Sequence, residues 1–196
     1  MVNKRLERRA YHEAGHAVAC HIVRLPYGYV TIHPDENSLG HMRTRLRKVR
    51  FNTNRRLRDK ERNDLESNIM ALLGGFAAEK LLRGNVNLGV SPDEWRMAYH
   101  FTLYLNYKRF TREVYLNWLF ERVKEWLEIP CYWKSVRKVA HQLMVDRKVD
   151  RQTVRRLIEN TIKKSNSEMS RWKKTRRQED MKEFRKGLDS SLHKSS

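Results

Sequence analysis

The chain has 196 residues, with 42 lysines and arginines against 23 aspartates and glutamates, so its formal net charge is +19. This length allows one domain with a hydrophobic core, alone or followed by a tail. The charge predicts nonspecific attraction to nucleic acid, anionic membrane or acidic protein, without selecting among them. The two cysteines, Cys20 and Cys131, exclude a disulfide framework and favour a reducing, cytoplasmic location. No transmembrane segment or secretory signal is predicted, because no apolar run approaches roughly 18 residues.

The first predicted element is a helix over residues 4–24, which carries the sequence His12-Glu13-Ala14-Gly15-His16. Two histidines four positions apart project from one face of a helix and can hold one zinc ion. Zinc lowers the pKa of its water to about 7, so the neighbouring Glu13 can act as a general base. The alternative is an amphipathic helix with two solvated histidines.

Two short strands are predicted next. Residues 29–32 are β-branched and aromatic, which favours a strand. A second strand over residues 39–42 pairs back on the first or lies at a sheet edge. Residues 43–62 hold ten basic and two acidic residues. The structural interpretation of this stretch is a solvated loop or an exposed helix start. The functional interpretation is a basic rim near the active site or an arm that contacts phosphate groups.

A helix is predicted over residues 64–83, because its apolar residues recur at helical spacing. Gly74 and Gly75 interrupt it, and glycine inside a helix costs stability. Close approach of another helix, or a metal site, would explain both glycines. Glu79 on the same helix is either a metal ligand, a partner of a ligand, or an exposed surface glutamate.

The sequence Ser91-Pro92-Asp93-Glu94 indicates the start of a further helix. Ser91 is the expected N-cap, Pro92 the first helical residue, and Glu94 the residue that completes a capping box. Asp93 then lies in the first turn. There its carboxylate either complements the helix dipole or faces the zinc.

The second half of the chain is predicted to be helical, with helices over 95–108, 112–128, 133–146 and 151–163. The lone His100 and His141 are expected to be structural or solvated. The predicted fold is mainly α with a small β element. The domain is expected to span residues 1–164, and residues 165–196 are expected to form a basic tail, either a frayed helix or disordered.

Three segments in order resemble the peptidase domain of the FtsH-type AAA+ metalloproteases. They are AYHEAGHAV, YVTIHP followed by LG, and ALLGGFAAEKLLRGNVNLGVSPDEWRMA. A later segment, YWKSVRKVAHQLMVDRKVDRQTVRRLIE, is similar to the last helical pair of that family. The resemblance implies His12, His16 and Asp93 as zinc ligands, since Asp93 matches the aspartate of the family's SND turn. It implies Glu13 as the catalytic glutamate, with Glu79 as the alternative ligand.

The chain also departs from the family pattern. It contains no G-x-x-x-x-G-K-[ST] nucleotide motif and no membrane anchor, and Phe76 stands where the family has the arginine of GGRAAE. The resemblance therefore implies a stand-alone zinc metalloendopeptidase that hydrolyses unfolded or flexible polypeptides without its own ATPase module. It could act alone, as a hexamer, or with a separate ATPase.

Substrate is expected to add as a strand at the edge formed by Leu39, Gly40, His41 and Met42. The alternative function is a non-catalytic, zinc-containing binding module for nucleic acid or acidic partners. Glu13 favours the enzyme, because a purely structural zinc site does not need a general base.

Overall fold

The structure is a computed structural model that describes residues 3–33, 41–49, 57–85, 92–105 and 108–192. Within these ranges the chain forms seven helices and one three-stranded sheet, which confirms the mainly α prediction with a small β element. The elements in order are α1 (Lys4–Ile22), β1 (Tyr27–Thr31), β2 (His41–Thr44), α2 (Asp59–Arg83), α3 (Pro92–Leu103), α4 (Arg109–Glu128), α5 (Pro130–Asp146), β3 (Lys148–Asp150), α6 (Arg151–Lys164) and α7 (Asn166–Leu192).

The centre of the molecule is the contact between α1 and α2. Asn3 caps α1, because its side-chain oxygen accepts hydrogen bonds from the backbone N–H groups of Arg5 and Leu6. A Cβ on Gly15 would lie 2.3 Å from the carbonyl oxygen of Gly74, and a Cβ on Gly74 would lie 2.7 Å from the Cβ of Ala19. The two glycines therefore allow a backbone approach that any side chain would prevent. The helix-approach explanation for Gly74 is confirmed.

The sheet ties the two halves of the chain together. Its order is β2-β1-β3, and β1 pairs antiparallel with both neighbours. β2 pairs with β1 through Val30 opposite Met42 and Thr31 opposite His41, after an irregularity between Tyr27 and Val30. β3 connects α5 to α6 and places Val149 opposite Val30. This strand was not predicted, because three residues are too few to show an alternating pattern.

The helices of the second half cover the α1–α2 pair. α4 packs on α2 and α5 packs on α1, and each buries an apolar face. The fully buried side chains of α4 and α5 include Leu119, Leu127 and Leu143. Within the described residues, no helix combines the length and hydrophobicity that a membrane span requires.

The basic stretch at residues 43–62 is described only in part, because residues 50–56 lie outside the described ranges. α2 begins at Asp59 rather than at residue 64, so the end of the stretch is an exposed helix start. Arg47 is structural: its guanidinium contacts Asp64 at 2.9 Å, and its backbone exchanges two hydrogen bonds with the Asn68 side chain. A phosphate-contacting role for the rest of the stretch stays a prediction.

The expected tail is helical where it is described. α7 contacts α5 near its start, where the Cys131 thiol donates to Met169 Sδ at 3.4 Å. Beyond that turn most of the described side chains of α7 are exposed. The helical alternative is therefore the one observed, and the domain boundary at residue 164 stays a prediction.

We expect Gly74→Ala to destabilise the protein by about 1–3 kcal/mol, because the added methyl group forces α1 and α2 apart. Denaturant unfolding measures the change. Asn160→Ala, at an exposed position of α6, is the matched control and should change stability by less than about 0.5 kcal/mol. Equal stability of the Gly74→Ala variant and the wild type would contradict the close approach.

Candidate metal centre

The two motif histidines lie side by side between α1 and α2. His12 and His16 are both 4% exposed. Gly75 on α2 makes room for them, since a Cβ there would lie 2.5 Å from His16 Nε2 and 2.6 Å from His12 Nε2. The second explanation for the glycine pair, space for a metal site, therefore fits Gly75.

A carboxylate from α3 completes a triangle with these imidazoles. Glu94 Oε2 lies 3.0 Å from His12 Nε2 and 3.2 Å from His16 Nε2, and the two Nε2 atoms are 3.0 Å apart. Among the described residues, these three form the one group whose ligand atoms could share a metal ion. The carboxylate in the first turn of α3 that lies at the histidines is thus that of Glu94.

The opposite ring nitrogens are held by α2. His16 Nδ1 donates to the backbone carbonyl of Ala71 at 2.8 Å, which fixes the tautomer that leaves Nε2 facing the triangle. His12 Nδ1 lies 2.8 Å from Glu79 Oε1, and Glu79 Oε2 accepts from Arg8 Nε at 2.7 Å. Glu79 is only 1% exposed, so the surface-glutamate alternative is wrong.

Glu13 lies next to the triangle with one oxygen uncommitted. Its side chain is buried, and Oε2 has no hydrogen-bond partner among the described residues. A buried carboxylate oxygen without a partner is costly and is seldom retained without a role. Phe76 closes the site on the apolar side, with its ring edge-to-face with His12 at 5.3 Å.

A comparison with protein-family models matches residues 1–103 to peptidase family M41. The chain belongs to peptidase family M41. Members of this family are metallopeptidases, so membership supports a metallopeptidase-type function with polypeptide substrates. The matched region ends with α3 and contains His12, Glu13, His16, Glu79 and Glu94. A comparison with curated proteins gave no match.

The carboxylates of this M41 site favour positively charged histidines. Burial alone would lower the pKa of His12, but hydrogen bonds with Glu79 and Glu94 overcome it and raise the pKa to about 10. Burial likewise opposes the charged form of His16, yet the charge of Glu94 raises its pKa. The pKa of Glu94 is lowered, because the two histidines outweigh its burial. The metal-free site therefore holds protons where a metal ion would otherwise balance the carboxylates.

The donor set fits zinc. Two neutral imidazoles and one carboxylate are a common protein set for catalytic zinc, with a further position left open. Ligand atoms at about 2.0–2.1 Å from a tetrahedral zinc lie about 3.3 Å apart, and the triangle measures 3.0–3.2 Å. A shift of a few tenths of an ångström would accommodate the ion.

Asp93 does not join the cluster. Its side chain is 84% exposed and pairs with Arg96 at 2.9 Å. The outward positions of α3 include Asp93, Arg96 and Met97, whereas Glu94 lies one turn before the buried Ala98. The structure therefore brings Glu94, and not the Asp93 expected as the third ligand, to the two histidines. The capping role expected of Glu94 stays a prediction, because Ser91 lies outside the described residues.

The helical period of α3 was the signal that could have identified Glu94. Residues four apart share a face, and Glu94 shares one with Ala98 and Thr102, both fully buried. The expected substrate-binding residues are only partly described. His41 and Met42 lie in β2, whereas Leu39 and Gly40 lie outside the described ranges.

We expect the metal-free protein to lose stability as pH rises from 6 to 9. The raised pKa of His12 makes its contribution fully present below about pH 6.5 and lost as pH approaches 10. Burial raises the pKa of Glu13 to about 7, which acts in the same direction between about pH 4.5 and 7. Denaturant unfolding in excess chelator should show that the free energy of unfolding falls by more than about 1 kcal/mol, since one pKa unit is worth about 1.4 kcal/mol.

Glu94→Gln is the control for this pH dependence. It removes a charge that raises the pKa of both histidines, so this variant should lose less stability between pH 6 and 9 than the wild type. A chelated wild type that is equally stable at both pH values would contradict the assigned charges.

Proposed function

We propose that the chain is a zinc-dependent endopeptidase that cuts unfolded or flexible polypeptides. The observation that carries the proposal is the convergence of His12 Nε2, His16 Nε2 and Glu94 Oε2 beside the unpartnered Glu13 Oε2. Two imidazoles and a carboxylate would hold the ion, and Glu13, which is not part of the triangle, remains available for proton transfer. A purely structural zinc site has no use for that fourth group.

In this mechanism Glu13 moves the proton. It takes a proton from the attacking water and passes it to the leaving amine. In the metal-free site burial raises its pKa to about 7, and a general base works best when its pKa lies near the working pH. Zinc, when bound, supplies Lewis acidity that polarises the scissile carbonyl and lowers the pKa of water to about 7.

The surrounding residues position the ligands. Glu79 holds His12 Nδ1 and the carbonyl of Ala71 holds His16 Nδ1, so each ring keeps its Nε2 towards the ion. Arg8 balances the buried charge of Glu79. Phe76 excludes water from one side, which strengthens the electrostatic interactions of the site.

Substrate binding is proposed at the outer edge of β2. β2 lies at one end of the sheet order, so its second edge has no strand partner in the described part of the chain. An extended polypeptide could pair there by backbone hydrogen bonds near His41 and Met42. Because the chain has no G-x-x-x-x-G-K-[ST] motif, we propose that it cuts flexible peptides without nucleotide. A hexamer or a separate ATPase partner stays a prediction.

We expect Glu94→Ala to lose zinc and Asp93→Ala to retain it, because only Glu94 reaches the histidines. Glu79→Ala should weaken zinc binding about 10- to 100-fold, as expected for a residue that orients a ligand. Metal analysis after dialysis against a weak chelator measures occupancy. Loss of zinc from Asp93→Ala with full occupancy of Glu94→Ala would overturn the ligand assignment.

We expect Glu13→Gln to keep zinc and to lower peptide hydrolysis about 100- to 10,000-fold, because it removes the base and keeps the side-chain size. Glu125→Gln, at an exposed position of α4, is the matched control and should retain full activity. Cleavage of a flexible fluorogenic peptide without nucleotide is the assay. A zinc-loaded Glu13→Gln variant that hydrolyses the peptide at the wild-type rate would contradict the mechanism.

A further inference from the structure

A groove with a basic rim lies beside α1, on a different side of that helix from the metal centre. It has a volume of about 660 Å³ and is formed mainly by α5 and α6. Four cationic side chains line it, and no carboxylate is among the lining residues that the structure describes. The four are Lys134, Arg137, Lys138 and Lys164. We call this feature the α5–α6 groove.

Two of the cations on the groove rim lie close together on one helix. Lys134 and Lys138 are like charges four residues apart, which destabilises a helix by roughly 0.2–0.5 kcal/mol. Elsewhere, exposed pairs at this spacing include both like charges, as in Lys173 and Arg177, and ion pairs, as in Arg109–Glu113 and Arg155–Glu159. Repulsion of this kind is relieved when an anion binds between the cations.

The chain itself shows how the rim receives a carboxylate. Glu168, in the first turn of α7, places its two oxygens 2.6 and 2.5 Å from Lys134 Nζ. In the part of the chain that the structure describes, Arg137, Lys138 and Lys164 have no ion-pair partner. Asp146, the next acidic residue on α5, accepts from Gln142 at 2.5 Å and does not line the groove. Three cations therefore remain available to a ligand.

We propose that the α5–α6 groove is a second polypeptide-binding site that recruits acidic segments of the substrate. The inference rests on the proposed peptidase function and specifies its substrates. Between the cations, Tyr11 and Leu157 give the groove an apolar surface that suits the backbone and carbon atoms of an extended peptide. Nucleic acid fits less well, because Tyr11 is the single Phe, Tyr or Trp side chain among the described lining residues, and binding of single strands relies on successive stacking platforms.

The location of the groove links it to catalysis. Tyr11 lines the groove and precedes His12 on α1, so the two sites lie on different sides of one helix. A helix with its side chains is about 10–12 Å across, and an extended chain advances about 3.3–3.6 Å per residue. The acidic segment must therefore be separated from the cleaved bond by at least about four residues. Such tethering raises the local concentration of the cleaved segment and lowers KM rather than raising kcat.

The first test measures binding without cleavage. Fluorescence anisotropy with a labelled eight-residue peptide rich in glutamate is recorded on the 196-residue, zinc-loaded Glu13→Gln protein. Adding Arg137→Glu and Lys138→Glu should raise Kd by about tenfold or more, equivalent to about 1.4 kcal/mol. Lys174→Glu with Arg177→Glu, at exposed positions of α7, changes the net charge equally and should leave Kd within about threefold. Circular dichroism and thermal unfolding verify that each variant is folded.

Three outcomes of that binding test would overturn the proposal. Equal loss in both double variants would mean that the charge acts nonspecifically. Equal affinity for a neutral peptide of the same length would mean that acidic side chains are not recognised. Tighter binding of a short oligothymidylate, lost in the groove variant, would assign the groove to nucleic acid.

The second test uses two cleavable peptides with one core and one Gly-Ser linker, ending in an acidic or a neutral tail. The catalytically intact chain should show a lower KM for the acidic-tailed peptide at similar kcat. The Arg137→Glu, Lys138→Glu variant should lose that advantage and cut the neutral peptide at the wild-type rate. If the wild type cuts neither peptide, the peptidase proposal fails and the binding test still decides the groove. If it cuts both with equal KM, the groove proposal alone fails.

Discussion

The contact of α1 with α2 at Gly15 and Gly74 is the constraint on which the site depends. It places α2 close enough to α1 for three different groups of α2 to serve the two histidines. Gly75 leaves space for both rings, the carbonyl of Ala71 orients one ring, and the carboxylate of Glu79 orients the other. The packing of α1 on α2 and the orientation of the His12 and His16 rings therefore depend on the same contact. A change that separates the helices disturbs both.

The third donor depends on a different set of contacts. α3 is held against the core by Trp95, whose ring packs edge-to-face on Phe76 at 5.5 Å and lies 5.9 Å from Phe120. This aromatic series sets the position of Glu94 relative to the histidines. Phe76, where the family pattern has arginine, contacts both His12 and Trp95. It thus joins His12 on α1 to the helix that carries Glu94, without adding charge to a site already rich in carboxylates.

The sequence predicted the parts of the site that depend on short-range spacing. His12 and His16 share a face because four residues make about one helical turn, and Gly74 and Gly75 indicated close packing or a metal site. The position of Glu94 was not predicted, because the resemblance aligned the neighbouring Asp93 with the aspartate of the family's SND turn. Adjacent residues of a helix such as α3 point in directions that differ by about 100°. Burial of that helix against α2 decides which carboxylate faces inward. β3 was missed because its pairing with β1 is a long-range contact with no local pattern.

The short strand β3 limits how this chain can be divided into fragments. Together with the Arg147 carbonyl, which accepts hydrogen bonds from the backbone N–H of Ile32 and from Thr31 Oγ1, it links the second half of the chain to β1. A fragment ending at Leu103 would contain the whole region that matches the family. It would nevertheless lack β3, which pairs with β1. It would also expose the face of α1 that α5 covers and the face of α2 that α4 covers. The proposed metal centre is thus not a portable module. In gene fusions or split-protein designs, it must travel with helices whose own residues take no part in the chemistry.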